Sequence, residues 1–136
     1  MKSLLVAQLL ALSITIVSPC VRTVPGGPNP ACGTCTADQV TIGATDANTG
    51  AHAFDPAAPT PGVDGNGCST LLYSCSGTSA NIEVNSPDLT VGNANSGVQQ
   101  VTTVLLVCNA NNRWQYTGNE NVVTDPVNML TCLSVD

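Results

Sequence analysis

The sequence predicts an all-β fold: a small disulfide-stapled antiparallel β-sandwich preceded by a cleaved signal peptide. Three observations predict it. From residue 68 onward, short β-branched and aliphatic runs alternate with Gly, Asn and Ser clusters, and no segment keeps a helical period. Seven cysteines stand in 136 residues, six of them beyond an apolar leader, the arrangement of a secreted disulfide framework. The stretch 98–118, VQQVTTVLLVCNANNRWQYTG, reads as a β-hairpin and holds the only tryptophan.

The leader comes first in the chain. Lys2 precedes the uncharged run LLVAQLLALSITIV, residues 4–17, and Ser18-Pro19-Cys20 follows. A basic start, an apolar run and a small-residue site make a secretory signal peptide. The run is short of the roughly 20 helical residues that a bilayer span needs. Ser18 and Cys20 supply the small residues for cleavage after Cys20, so residues 1–20 are the predicted leader and Val21 the mature N-terminus. Pro19 immediately before Cys20 argues against lipidation there, and residues 130–136 do not resemble an anchor tail. The chain is expected to be secreted, with no membrane association after signal cleavage. Loss of Cys20 leaves Cys32, Cys35, Cys68, Cys75, Cys108 and Cys132. An even count in a secreted chain predicts three disulfides.

Charge narrows the partners. The formal net charge is −6, and without Lys2 only Arg22 and Arg113 stand against nine acids. Two scattered positive charges cannot build a phosphate-binding patch, so nucleic acid is not an expected partner. Charged residues are only 9% of the chain, so Ser, Thr, Asn and Gln carry the solubility.

Residues 21–31, VRTVPGGPNPA, form a Pro/Gly-rich linker. The six-cysteine β domain follows, residues 32–132, with 133–136 as a C-terminal tail. Residues 38–43, DQVTIG, predict a short strand with Val40 and Ile42 on one face. Residues 44–67 are rich in Ala, Gly, Pro and Asp and predict a long mobile loop. Pro56, Pro59 and Pro61 bar it from a sheet interior. Residues 69–75 predict a strand, 76–79 a turn, and 80–85 a second strand with Ile82 and Val84 on one face. Residues 89–91 predict a short edge piece, and 92–97 a loop. In the hairpin, 104–107 is apolar on both alternating faces, which predicts a central strand. Asn109-Ala110-Asn111-Asn112 supplies a turn, because Asn tolerates the left-handed backbone. Trp114 and Tyr116 then alternate onto one face. Residues 121–124 and 127–132 close the domain around Asp125-Pro126.

Each motif that could carry chemistry has a structural counterpart. Cys32-Gly33-Thr34-Cys35 has thiol–disulfide oxidoreductase spacing, but that chemistry needs a low-pKa thiolate at a helix N-terminus, and no helix is predicted. Its cysteines are expected to enter separate long-range bridges. His52, the only histidine, lies in the 44–67 stretch with no predicted scaffold to orient it. Asp46-x-Asn48 and Asp64-x-Asn66 lack the glycine and glutamate of a calcium loop. No cofactor or metal is expected, and no catalytic residue is assigned. A hydrolase working through carboxylates alone would draw on Glu83, Asp88, Glu120 and Asp125. Trp114 and Tyr116, if exposed, would make a binding surface. Six cysteines allow 15 connectivities. If every turn reverses the chain, strands ending at Cys75, Cys108 and Cys132 finish at one end of the sheet, which favours a bridge among these three.

Cys32-Gly33-Thr34-Cys35, Gly67-Cys68 through Cys75-Ser76-Gly77, Cys108-Asn109 through Trp114-Gln115-Tyr116, and Cys132 together resemble the nematode six-cysteine domain. The resemblance spans residues 32–132 and implies a small secreted module of unknown function, with no catalytic residues to carry over. Asn111-Asn112 stands where such modules often have glycine. A weaker likeness is to complement-type sushi modules, which have four cysteines and a tryptophan between the last two. The expected function is that of a secreted non-enzymatic module with a surface-recognition or structural role. Its partner would be an extracellular protein or glycan. The alternative is a secreted carboxylate-based hydrolase or an inhibitor.

Overall fold

The computed structural model describes residues 32–135, and the predicted leader 1–20 and linker 21–31 lie outside the described residues. Nine strands make up the fold: β1 (Thr41–Ile42), β2 (Ala51–His52), β3 (Thr60–Val63), β4 (Ser69–Val84), β5 (Leu89–Gly92), β6 (Gln99–Cys108), β7 (Trp114–Thr117), β8 (Val123–Thr124) and β9 (Met129–Val135). Single 3-10 turns sit at Ala37–Gln39 and Asn119–Asn121. The all-β expectation holds. The sheet is mixed rather than purely antiparallel, because β1 runs parallel to β9.

One strand builds both layers. The first half of β4 pairs with β3 on one edge and β6 on the other. Its second half pairs with β9 and β5. Cys132 of β9 lies beside Ile82 and is also bonded to Cys75, with Cα atoms 5.4 Å apart. Seven residues of straight strand would hold Cys75 and Ile82 about 23 Å apart. The pairing and the bridge together allow about 11 Å. Strand β4 therefore folds over between these residues, where its register with β9 shifts between Thr78 and Asn81. One layer is β3, the first half of β4, β6, β7 and β8. The other is β5, the second half of β4, and β9 flanked by β1 and β2.

The fold-over also changes side-chain parity. Leu71, Tyr73 and Cys75 are buried before it, and Ala80, Ile82 and Val84 after it. Strand side chains alternate with a period of two, so an odd-numbered inner set becomes even-numbered by insertion of an extra residue. Both halves thus face the same core. Gly77 has φ 151° and Ser79 φ 55°. A Cβ at Gly77 would meet the Ser134 side chain at 2.5 Å, so glycine is required by space as well as by backbone. The predicted turn at 76–79 is this bend within a single strand.

Several polar groups at the bend find partners nearby. The Ala80 carbonyl accepts from the Thr102 hydroxyl at 2.7 Å and the Gln100 amide at 2.6 Å. The Ser79 N–H donates to the Val98 carbonyl at 2.9 Å, and its hydroxyl accepts from the Gly97 N–H at 2.8 Å. The Asn81 amide donates to the Ser79 carbonyl at 3.1 Å.

The N-terminal segment is clasped to the β6–β7 turn. The Gly33 N–H donates to the Asn109 carbonyl, and the Thr34 N–H to Asn112 Oδ1, each at 2.8 Å. The Trp114 indole N–H donates to the Thr36 carbonyl at 2.9 Å. Asn112 takes the left-handed backbone its type favours, φ 59°. Phe54 meets Tyr73 edge to face with ring centroids 5.3 Å apart.

Several expectations are corrected. The 44–67 stretch is built structure: β2 pairs with β9, β3 pairs with β4, and Phe54 is in the core. Pro61 does sit on an edge strand, since β3 pairs only with β4. The 133–136 tail is largely strand, because β9 runs to Val135 and Ser134 is buried. Residues 38–43 yield a 3-10 turn and a two-residue strand, with Val40 buried but Ile42 exposed. The predicted 121–124 strand shortens to β8, because Asn119–Asn121 forms a 3-10 turn. Strand β6 is central at one end only, and its outward face is open, with Val101 66% and Leu105 47% exposed.

The bridges are Cys32–Cys68, Cys35–Cys108 and Cys75–Cys132. The last joins two of the three cysteines expected to meet, although Cys75 lies mid-strand rather than at a strand end. Bridges closing loops of this length each contribute on the order of 3–4 kcal/mol. Alkylation of the unreduced protein should add no label to these six cysteines, and mass spectrometry of the intact chain would detect one. Trp114 is only 3% exposed. Trp114→Ala should therefore lower unfolding free energy by about 3–5 kcal/mol, measured by denaturant titration of the oxidised protein.

Candidate functional site

The residues that could carry chemistry are separated by the fold. Cys32 and Cys35 enter different bridges, to Cys68 and Cys108, so the C-x-x-C is not a dithiol pair. Each anchors the N-terminal segment to a different strand: Cys68 lies just before β4, and Cys108 ends β6. His52 is on β2, half-buried, opposite Cys132. No group of three or more His, Cys, Asp or Glu among the described residues could hold a metal ion.

The carboxylates of Asp125, Glu83, Asp46 and Asp64 serve local structure. Asp125 takes Arg113 Nε at 3.2 Å and the Asn109 amide at 2.9 Å, which ties the β6–β7 turn to the segment after β8. Glu83 accepts from the Ser86 hydroxyl. Asp46 Oδ1 accepts from the Asn48 N–H, and Asp64 Oδ1 from the N–H groups of Asn66 and Cys68. The two Asp-x-Asn motifs are thus Asx turns. Asp88, in the turn before β5, and Glu120, in the 3-10 turn Asn119–Asn121, are exposed.

Among the shallow clefts on the surface of the described residues, three stand out. One of about 540 Å³ lies between residues 47–50, His52, Asn81 and the end of β9. A second is lined by Asp46, Glu83, Ser86 and Thr131 among others. The third lies between β5 and Tyr116. None of the three is lined by two of Glu83, Asp88, Glu120 and Asp125.

Trp114 and Tyr116 do share a face, opposite Cys108 and Leu106, but it is the inner face. Trp114 is core, and Tyr116 is half-buried at the rim of the third cleft. Neither makes an exposed binding surface of the kind the sequence allowed. The broad open surface is instead the outer face of the first layer. Register places Leu72, Val101, Thr103, Leu105, Val107 and Val123 on it. Over this layer β3, residues 69–78 of β4, β6, β7 and β8 carry no charged side chain. The sequence held the signal for this surface: odd positions 101–107 are as apolar as even ones, which reads as burial until the sheet is seen to have one covered face.

Burial raises the phenol pKa of both Tyr73 and Tyr116 above the ordinary value near 10. The neutral forms are favoured in the folded protein, so their contribution to stability is complete below pH 10. It is lost as pH rises through the raised values. A phenolate titration followed by ultraviolet absorbance should show late ionisation, coincident with loss of stability above pH 10.

The C6 domain family matches residues 35–132. No curated protein and no solved structure matches the chain. The matched span begins at Cys35, ends at Cys132, and takes in the whole β core together with the Cys35–Cys108 and Cys75–Cys132 bridges. By this match the chain belongs to the C6 domain family.

Proposed function

We propose that the protein is secreted and works without catalysis, as an extracellular module that recognises a protein partner through the outer face of its first layer. The observation that carries this reading is that face: its strands carry no charge, and Val101, Leu105 and Val123 stand exposed among Thr, Ser and Gln side chains. Uncharged surface with several exposed aliphatic side chains on one face suits contact with another protein. A protein partner suits it better than a glycan, because no aromatic ring stands out on it and Trp114 is buried. Three disulfides are compatible with an oxidising, extracellular setting. The dispersal of Asp125, Glu83, Asp88 and Glu120 into separate local roles supports a non-enzymatic reading over a carboxylate hydrolase.

The test is capture of partners from extracellular material by the oxidised protein, compared with a reduced and alkylated form and with Leu105→Glu. Partners should be retained by the oxidised protein alone. Equal capture by all three forms would sink the reading, because neither the fold nor this face would then be the recogniser.

A further inference from the structure

Residues 55–63, DPAAPTPGV, lead into and form β3, which among the described residues pairs on one side only, with β4. Thr60 opens that strand between Pro59 and Pro61. Each proline lacks an N–H and holds φ at about −65°, so the backbone around Thr60 stays extended and neither neighbour donates a hydrogen bond. Ala57, Ala58, Thr60, Pro61, Gly62 and Val63 are all exposed. No charged or aromatic side chain lies between Asp55 and Asp64. The approach to Thr60 along the chain is therefore through small, uncharged groups.

The Thr60 side chain stands on the open side of its layer. Its register partner is Leu72, and partners across an antiparallel pair share a face. Leu72 lies on the outer face, opposite Leu105. The Thr60 hydroxyl thus points away from the core, and no hydrogen-bond partner meets it among the described residues. Ser86 is the other described hydroxyl residue beside a proline, and its hydroxyl donates to Glu83.

We propose that Thr60 is an acceptor for O-linked glycosylation, taking an N-acetylhexosamine from a nucleoside diphosphate sugar through a glycosyltransferase of the secretory pathway. The Thr60 oxygen bonds to the anomeric carbon of the sugar, and the bond from that carbon to the diphosphate breaks. The nucleoside diphosphate leaves with the electron pair, and the hydroxyl proton passes to a base of the transferase. Threonine set among prolines is the composition that such sugars decorate. The fold adds two features that composition does not show: the hydroxyl faces outward, and the far edge of β3 is open, so an enzyme cleft can enclose the segment without unfolding it. One strand spacing, about 5 Å, separates Thr60 from Leu72, and two, about 10 Å, separate it from Leu105. A sugar at Thr60 would therefore border the outer face of the first layer and give it a polar rim. The site rests on the secreted setting proposed above, where such transferases act, and not on partner recognition.

Transfer in vitro to the unglycosylated, oxidised protein tests it, with UDP-N-acetylgalactosamine as donor and a Golgi membrane extract as the enzyme source. The intact mass should rise by one N-acetylhexosamine, and fragmentation of the peptide that carries residues 55–64 should place the sugar on Thr60. Thr60→Val keeps the branched shape at an exposed position, so it spares the fold, and it should lose the gain in mass completely. Thr60→Ser should keep it. A wild type left bare by an extract that modifies a free proline-flanked threonine peptide overturns the proposal. So does a sugar found only at other residues, or one undiminished on Thr60→Val. Transfer to Thr60 only after reduction and alkylation also overturns it, because the unfolded chain and not β3 would then be the acceptor. The wild-type peptide locates the sugar whether or not a variant folds. Failure of the secreted reading shows separately, as absence of the chain from the medium of cells that express it.

Discussion

The fold depends on one constraint: β4 must cross from one layer to the other without leaving the core exposed. A strand of 16 residues would otherwise run far past a protein of this size as a straight ribbon. Bending it at Gly77–Ser79 gives each half a different set of neighbours and a common inner face. The Cys75–Cys132 bridge fixes the two halves at the distance the bend allows. It sits wholly inside, with Cys75 and Cys132 at most 1% exposed. The other two bridges act farther out, where they hold the N-terminal segment over the open end of the core beside Trp114.

A bend in a central strand frees backbone groups in a dry place, and an unpaired buried carbonyl costs about 1–3 kcal/mol. Here the segment before β6 and the start of β6 supply the missing partners. Thr102 and Gln100 donate to Ala80, Val98 accepts from Ser79, and Gly97 donates to the Ser79 hydroxyl. No buried side-chain polar atom among the described residues lacks a partner. These commitments explain why Thr102 and Gln100, polar residues of β6, face inward. They also hold the first five residues of β6 straight along an edge that nothing else covers.

Much of this was legible in the sequence, and the failures share a physical cause. The hairpin around 98–118 was legible because alternation, an Asn-rich turn and a returning aromatic strand all agree locally. Ser76-Gly77-Thr78-Ser79 suits a hairpin turn and a bend equally, and only the long-range pairing of Ile82 with Cys132 separates them. The 44–67 stretch looked structureless because its strands are two and four residues long and its proline lies on an edge. Its order comes from Phe54 docking on Tyr73 and from pairing with β9 and β4, contacts that leave no local pattern. Trp114 was correctly placed beside Tyr116. Its burial rests on the N-terminal segment folding over it, which no local signal announces.

The distribution of charge follows from the same economy. Few acids are present, and several of them serve turns: Asp46 and Asp64 cap their own loops, and Asp125 joins Arg113 and Asn109. An exposed ion pair of this kind contributes at most about 1 kcal/mol, so its role is to position the turn more than to stabilise the domain. The strands of the first layer are left to Thr, Ser, Gln and aliphatic side chains. Such a face keeps a soluble surface polar enough through hydroxyls and amides, yet puts no charge in the way of another apolar surface. In a chain whose strands are mostly short, stray strand pairing is discouraged elsewhere by Pro61 on β3 and by the brevity of β1, β2 and β8. Strand β6 is the exception because it cannot be shortened: its inner residues close the core, and its start completes the bend in β4.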